Sequence, residues 1–286
     1  MTRRDLIKKS ALFAAWVDTG FLKTIGCPHK SLLQIGACDW SIGKSADVSG
    51  VELAHQIGLD GIQVNLGNVA NNLHLRDPQV QKLYLEASKK FKTKIASIAI
   101  GELNNVPYKS DPRTEQWVSD SIDVAQALKV KTILLAFFVK NDLRNDDAGK
   151  KEVIRRLKLV APKAEKAGVT LGLETYLSAE EHMDIIQQVG SSAIKVFYDF
   201  RNAADAGYDI IQELKWLGKD NICELHMKEN GFLLGQGTMD WTRICETLLN
   251  MNYKGDGWMQ IEWAMPKGAD IVQSYQHNLH FLRSMI

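Results

Sequence analysis

The chain has 286 residues, of which 45% are hydrophobic and 24% charged. Those proportions belong to an ordinary globular protein and exclude disorder, a collagen-like repeat and a coiled-coil rod. A formal charge of +1 provides no field for nucleic acid or an anionic membrane. The four cysteines, Cys27, Cys38, Cys223 and Cys245, form no CxxC pair; a zinc finger and a disulfide scaffold are out, and the redox compartment stays open.

The N-terminus reads as a leader. Thr2-Arg3-Arg4-Asp5-Leu6-Ile7-Lys8-Lys9 precedes a short apolar stretch at residues 10–17, the layout of an export signal and too short for a spanning helix. The adjacent arginines resemble the twin-arginine signal, whose pathway carries folded proteins. Thr24-Ile25-Gly26-Cys27 resembles a lipoprotein cleavage box, with Cys27 as the candidate lipid anchor. Residues 1–26 are therefore expected to be an export signal ahead of one domain, 27–286, and the protein to be periplasmic or otherwise exported. The alternative is a cytoplasmic protein whose first residues form an amphipathic helix packed on the fold. Residues 1–26 hold five Lys/Arg and two Asp/Glu, so the remainder carries 30 basic and 32 acidic residues, a further argument against a phosphate-backbone partner.

From residue 33 short apolar runs alternate with longer amphipathic segments. The runs are 33–40, 61–66, 94–100, 132–138, 169–174, 194–199, 222–228 and 258–263; rich in β-branched residues and apolar on both faces, they read as parallel strands covered by helices. Helical patterns occupy 51–57, 79–91, 114–128, 150–166 and 241–249. Ser178 with Glu181 three residues on is a capped helix start, and Gly58 and Gly168 are C-terminal helix stops leading into strands.

Eight strands with intervening helices, starting on average about 32 residues apart, predict an α/β fold of the (β/α)₈ TIM-barrel type in a single domain. A doubly wound open sheet calls for a glycine-rich phosphate turn after its first strand, and Ile35-Gly36-Ala37-Cys38 starts no such motif.

Chemistry in such barrels sits where strands end. The fifth run ends in Glu174, the sixth in Asp199, the seventh carries His226 and the eighth carries Glu262. Four successive strand ends thus each present one metal-competent side chain, and a carboxylate at the end of an apolar strand is costly unless paired or bound to metal. Three carboxylates and an imidazole suit one divalent ion such as Mn²⁺, Mg²⁺, Co²⁺ or Zn²⁺; a network of buried hydrogen-bonded acids is the alternative.

These four residues, with His226-Met227-Lys228, Leu234-Gly235-Gln236-Gly237, Asp240-Trp241 and Tyr253-Lys254-Gly255, resemble the xylose-isomerase-like barrel superfamily, which includes sugar isomerases and epimerases, inosose dehydratases and endonuclease IV. The resemblance covers about residues 33–286 and is most specific in the second half. Its ketose 3-epimerases hold one metal with the four strand-end residues and use the two glutamates as an acid/base pair on opposite faces of the substrate carbon. This implies that Glu174 and Glu262 are both ligands and catalytic, and that Asp199 and His226 are ligands only. It also implies a substrate contact at Glu180, which reads equally as a helix-start acid. Asn202 stands where the epimerases have a histidine and Phe232 where they have an arginine, so substrate contacts differ.

Lys228, two residues after His226, points to the same side of its strand, either into the site or toward a carboxylate inside the barrel. Trp40 and His74, after the first two strands, are candidate sugar contacts or else packing residues, and Glu102 is a candidate polar wall. His182, His277 and His280 are expected on helix surfaces. The expected function is a metal-dependent sugar isomerase or epimerase acting on a keto- or aldo-sugar through an enediolate. A 3-keto-glycoside lyase or dehydratase would use the same groups. A non-catalytic sugar-binding barrel would not need both glutamates, and a three-metal nuclease needs more strand-end histidines and a basic groove.

Overall fold

The computed structural model describes residues 33–286; the expected export signal 1–26, with Arg3 and Arg4, and the candidate lipid anchor Cys27 lie outside them. Each apolar run forms a strand: β1 Gln34–Cys38, β2 Gly61–Asn65, β3 Lys94–Ile100, β4 Thr132–Ala136, β5 Thr170–Glu174, β6 Ile194–Asp199, β7 Ile222–Lys228 and β8 Trp258–Glu262. All pair in parallel in sequence order, and β1 closes on β8. The predicted (β/α)₈ barrel is the fold. The α-helices are α1 Gly50–Ile57, α2 Pro78–Phe91, α3 Arg113–Leu128, α4 Asp147–Ala167, α5 Ala179–Val189, α6 Phe200–Asp205, α7 Ile210–Leu217, α8 Trp241–Asn250 and α9 Ile271–Met285. Gly58 and Gly168 cap α1 and α4 in left-handed conformations, and Ser178 and Glu181 form the expected reciprocal cap of α5. No helix among the described residues is long and apolar enough to cross a membrane.

The main core lies between strands and helices, where β-branched residues such as Ile62, Val64, Ile98, Ile133 and Ile261 are buried. The inside of the barrel corrects the expectation of apolar strand faces: Gln63, Ser97, Glu224, His226 and Gln260 are all fully buried there, linked to one another by side-chain hydrogen bonds. A small apolar cluster, Ala99, Leu134, Ala136, Phe197 and Cys223, packs separately from the main core. Glycine makes room for the long side chains: a Cβ at Gly36 would lie 2.2 Å from Gln260 Oε1. The β6–β7 register shifts so that Val196 faces Ile222 but Phe197 faces Glu224. This one-residue bulge at Cys223 sets Asp199 opposite His226, while the β7–β8 register sets Lys228 opposite Glu262.

One histidine expectation is wrong. His182 is buried in α5, with Nε2 3.0 Å from Thr175 Oγ1 and Nδ1 2.9 Å from the Ser178 carbonyl. Its place on the buried stripe Ala179–His182–Ile185–Ile186–Val189 explains why. His277 is half-buried and His280 exposed.

Candidate metal centre and active site

Strand ends β5 to β8 converge as the spacing implied. Glu174, Asp199, His226 and Glu262 each offer one ligand atom, and these atoms all lie within 4.8 Å of one another. All four residues are buried. His226 Nδ1 stands 2.7 Å from Glu174 Oε1, 3.7 Å from Glu262 Oε2 and 3.9 Å from Asp199 Oδ2.

Local structure holds the far side of three of these residues and turns their other atoms toward one another. Asp199 caps α6, its Oδ1 accepting from the Asn202 backbone N–H at 2.9 Å. Glu262 Oε1 accepts from Trp40 Nε1 at 2.7 Å. His226 Nε2 meets Gln63 Oε1 at 2.9 Å. The inward atoms Asp199 Oδ2 and Glu262 Oε2 are buried, with the Lys228 ammonium at 3.3 and 3.0 Å beside them, so three clustered carboxylates face more negative charge than that one ammonium neutralises, an excess that a bound cation would offset. The donor set therefore fits a hard or borderline divalent ion. A second grouping, Cys38, His226 and Glu262, is also close enough to ligate. It would need the His226 nitrogen already engaged by Gln63, and a thiol that burial and the Glu262 and Glu174 charges push well above its usual range. The carboxylate set is the better site.

Lys228 Nζ lies 3.0 Å from Glu262 Oε2, 3.3 Å from Asp199 Oδ2 and 3.2 Å from Asn202 Oδ1. It unites both expected roles, facing the site and pairing with carboxylates. Burial pushes Asp199 up to about 7, the Glu262 and Glu174 charges adding to the rise and Lys228 opposing it. Burial also raises Glu262, but the His226 and Lys228 charges outweigh it and hold the group below the usual carboxylate range. Burial lowers His226, and the surrounding carboxylates, Glu174 foremost, overcome it and raise the ring to about 9. A ring raised to that value is protonated near neutral pH, and an ion ligated by it would have to displace that proton.

A cavity of about 410 Å³ opens above the cluster, within the range of small-molecule sites. Of the expected residues, Trp40, Glu102, Glu174, Lys228 and Glu262 line it. Asp199 and His226 lie beneath and are not among its lining. Two expected contacts are not brought here. Glu180 is exposed in the first turn of α5, the helix-start reading. His74 lines a separate groove beside Arg76 and Asp120, its ring against Tyr84. Sequence reasoning missed Asn65, Asn68, Asn104, Phe138, Tyr176 and Trp263, which line the cavity, and Gln63 beneath it. Asn202, singled out only as a departure, bridges Lys228 and Glu174. Phe232, the other departure, is 52% exposed.

Fold and site together define a single-domain (β/α)₈ barrel with a buried carboxylate–histidine cluster at the C-terminal ends of its strands. The chain belongs to the xylose isomerase-like TIM barrel family, whose model matches residues 51–285. It is 28% identical over 133 residues to a D-psicose 3-epimerase of Enterocloster bolteae, the match spanning 43% of each chain. It is 24% identical over 204 residues to a 2-epi-5-epi-valiolone 7-phosphate 2-epimerase of an Actinoplanes species, across 68% of this chain and 72% of that one. Among solved structures, D-psicose 3-epimerase from Clostridium cellulolyticum H10 superposes with a TM-score of 0.74 at 18% identity, covering 88% of this chain and 99% of that one. The 3-keto-D-glucoside 4-epimerase of E. coli gives 0.70 at 15% identity, with 88% and 99% covered.

Proposed function

We propose that the protein is a divalent-metal-dependent sugar epimerase or isomerase that moves a proton beside a carbonyl through an enediolate. One observation carries the reading: of the four clustered residues, Glu174 and Glu262 line the cavity, whereas Asp199 and His226 lie beneath it. That is the division expected if the two glutamates reach substrate and the other two only hold the ion. The epimerase names of the relatives support the same class.

Glu174, Asp199, His226 and Glu262 would hold the ion, which when bound supplies Lewis-acid stabilisation of the charge that develops on the substrate oxygens. Glu174 and Glu262, from β5 and β8, remove and return the proton. Trp40 fixes one oxygen of Glu262 so that the other faces the site, and Lys228 adds a cation against the developing negative charge. Lys228 is the cavity's sole cationic lining residue among those described, and it is already paired with two carboxylates. No free cation waits for a phosphate, and Glu102 lines another wall, so an uncharged sugar fits better than a phosphorylated one. Export of the folded protein by residues 1–26, which we propose from Arg3-Arg4 and the apolar stretch that follows, agrees with an unphosphorylated substrate.

Elimination from a 3-keto-glycoside is the second reading. It is favoured by Phe138 and Tyr176, 4.8 Å apart edge to face, and by the half-exposed Trp263, on which an aglycone can stack. Both readings are tested by incubating the metal-loaded protein with ketohexoses and 3-keto-glycosides in D₂O. Deuterium should enter at the carbon beside the carbonyl, and product analysis distinguishes an epimer from a released aglycone. Glu174→Gln and Glu262→Gln should each lose about 10²–10⁴-fold in turnover. Normal turnover of Glu262→Gln with metal bound refutes the two-carboxylate mechanism, and binding of sugar without exchange marks a binding protein.

A further inference from the structure

Beneath the cluster a line of buried polar side chains crosses the barrel. Cys38 Sγ lies 3.2 Å from Gln63 Oε1, the atom that faces His226 Nε2 at 2.9 Å. Gln63 Nε2 donates to Ser97 Oγ at 3.0 Å, and Ser97 Oγ donates to Glu224 Oε2 at 2.9 Å. Gln260 Nε2 donates to that same Oε2 at 3.2 Å. Gln63, Ser97, Glu224 and Gln260 are fully buried and touch neither the cavity nor the four ligands except through His226.

The polarity of this line is determined. Glu224 Oε2 faces both Gln260 Nε2 and Ser97 Oγ, and with the carboxyl ionised or its proton on Oε1 that oxygen only accepts. The Ser97 hydroxyl has one hydrogen and spends it on Glu224, so its oxygen must accept from Gln63. The Gln63 amide is thereby turned with its Oε1 toward His226, and Cys38 reinforces that orientation from the side. Facing an acceptor, His226 Nε2 must carry a hydrogen, which leaves Nδ1, the nitrogen beside the three carboxylates, with a free lone pair once the ring is neutral.

We propose that Gln63, oriented through Ser97 by Glu224, is the positioning residue that holds His226 in the tautomer able to ligate a metal through Nδ1. This rests on the reading of the four-residue cluster as a metal centre. Acceptors behind a ligating imidazole fix its ring and raise its basicity, and their loss weakens metal binding by about 10–100-fold.

The test is calorimetric titration of the chelator-stripped full chain with Mn²⁺. Glu224→Met replaces the acceptor by an apolar side chain of similar length, frees the Ser97 hydroxyl to turn toward Gln63, and should raise the Mn²⁺ dissociation constant about 10–100-fold. Ser97→Ala, which deletes a single oxygen, should weaken binding in the same direction and serves if the first variant folds poorly. The decisive variant is Gln63→Glu in the Glu224→Met background. A carboxylate at position 63 only accepts, needs no relay to orient it, and should restore wild-type affinity, which a merely structural role for Glu224 would not. Wild-type affinity in both Glu224→Met and Ser97→Ala overturns the proposal, as does a double variant no tighter than Glu224→Met alone. Failure of the unmodified protein to bind Mn²⁺ would overturn the metal reading itself, an outcome distinct from either.

Discussion

Replacing Lys228 by Met should weaken the metal-free protein and strengthen its grip on a divalent ion. The ammonium lies 3.0 Å from Glu262 and 3.3 Å from Asp199, and its side chain is 14% exposed. At an effective dielectric of about 20 each contact is worth about 5 kcal/mol of Coulomb attraction, much of it offset by desolvation, and breaking a buried pair typically costs about 3–5 kcal/mol. The charge count gives the second half of the prediction. With His226 neutral, the three carboxylates, Lys228 and a divalent ion sum to zero. Without the lysine the occupied site carries −1, and the empty one is more negative still, so an entering cation gains more. Urea unfolding of the stripped protein should show a loss of about 3–5 kcal/mol, or about 6–20 °C in thermal midpoint for a domain of this size. Saturating Mn²⁺ should recover more stability in the variant than in the wild type. Equal unfolding free energies without metal would refute the argument, because a buried carboxylate pair cannot lose its cation at no cost.

Three further outcomes are expected. Protein purified without chelator should contain one equivalent of a divalent metal by elemental analysis, and His226→Ala much less; equal contents would sink the ligand assignment. Burial holds His182 down at about 4, below the unfolded value of about 6.5. The unfolded state therefore takes up a proton first, and stability that is complete above about pH 6.5 is lost as the pH falls toward 4, by up to about 3 kcal/mol. His182→Gln, which has no such group, should show a shallower decline over that window in urea unfolding, and parallel curves would contradict it. Cells expressing the full chain should place it outside the cytoplasm, and an Arg3→Lys, Arg4→Lys variant should stay inside; retention of both, with residues 1–26 intact, would leave the leader an ordinary N-terminal segment.

All eight strands were legible because their apolar runs are short and most are bounded on at least one side by glycine or charge, and their observed ends fall within two residues of the expected ones. The four clustered positions were legible because a βα repeat brings every strand end to one level. Helices α6 and α7 were not singled out, and α9 only through His277 and His280; α6 begins on Phe200, directly after Asp199, so its apolar start merges with the strand before it. Glu180 and His74 show where spacing fails. Both follow a strand at a plausible distance, but the loop after β5 and the 3₁₀ turns after β2 decide where those side chains point, and loop conformation leaves no periodic trace in sequence. His182 was legible and misread, since its spacing from Ala179, Ile185 and Val189 already placed it on the buried stripe.

The polar barrel interior is hidden for a different reason. Gln63, Ser97, Glu224 and Gln260 are isolated polar residues inside apolar runs, and taken strand by strand each can face either side. Only register joins them: Gln63 pairs with Ser97 across β2 and β3, and His226 pairs with Gln260 across β7 and β8. Once the barrel is closed, the period of two along β7 puts Glu224, His226 and Lys228 on one face, so a single strand supplies a buried acceptor, the imidazole of the cluster and a cation at three successive depths. A histidine that reaches from the cluster into the barrel must find an acceptor or donor for its inner nitrogen, and an apolar interior would leave that nitrogen unpaired. The polar lumen is thus a consequence of placing an imidazole at that height.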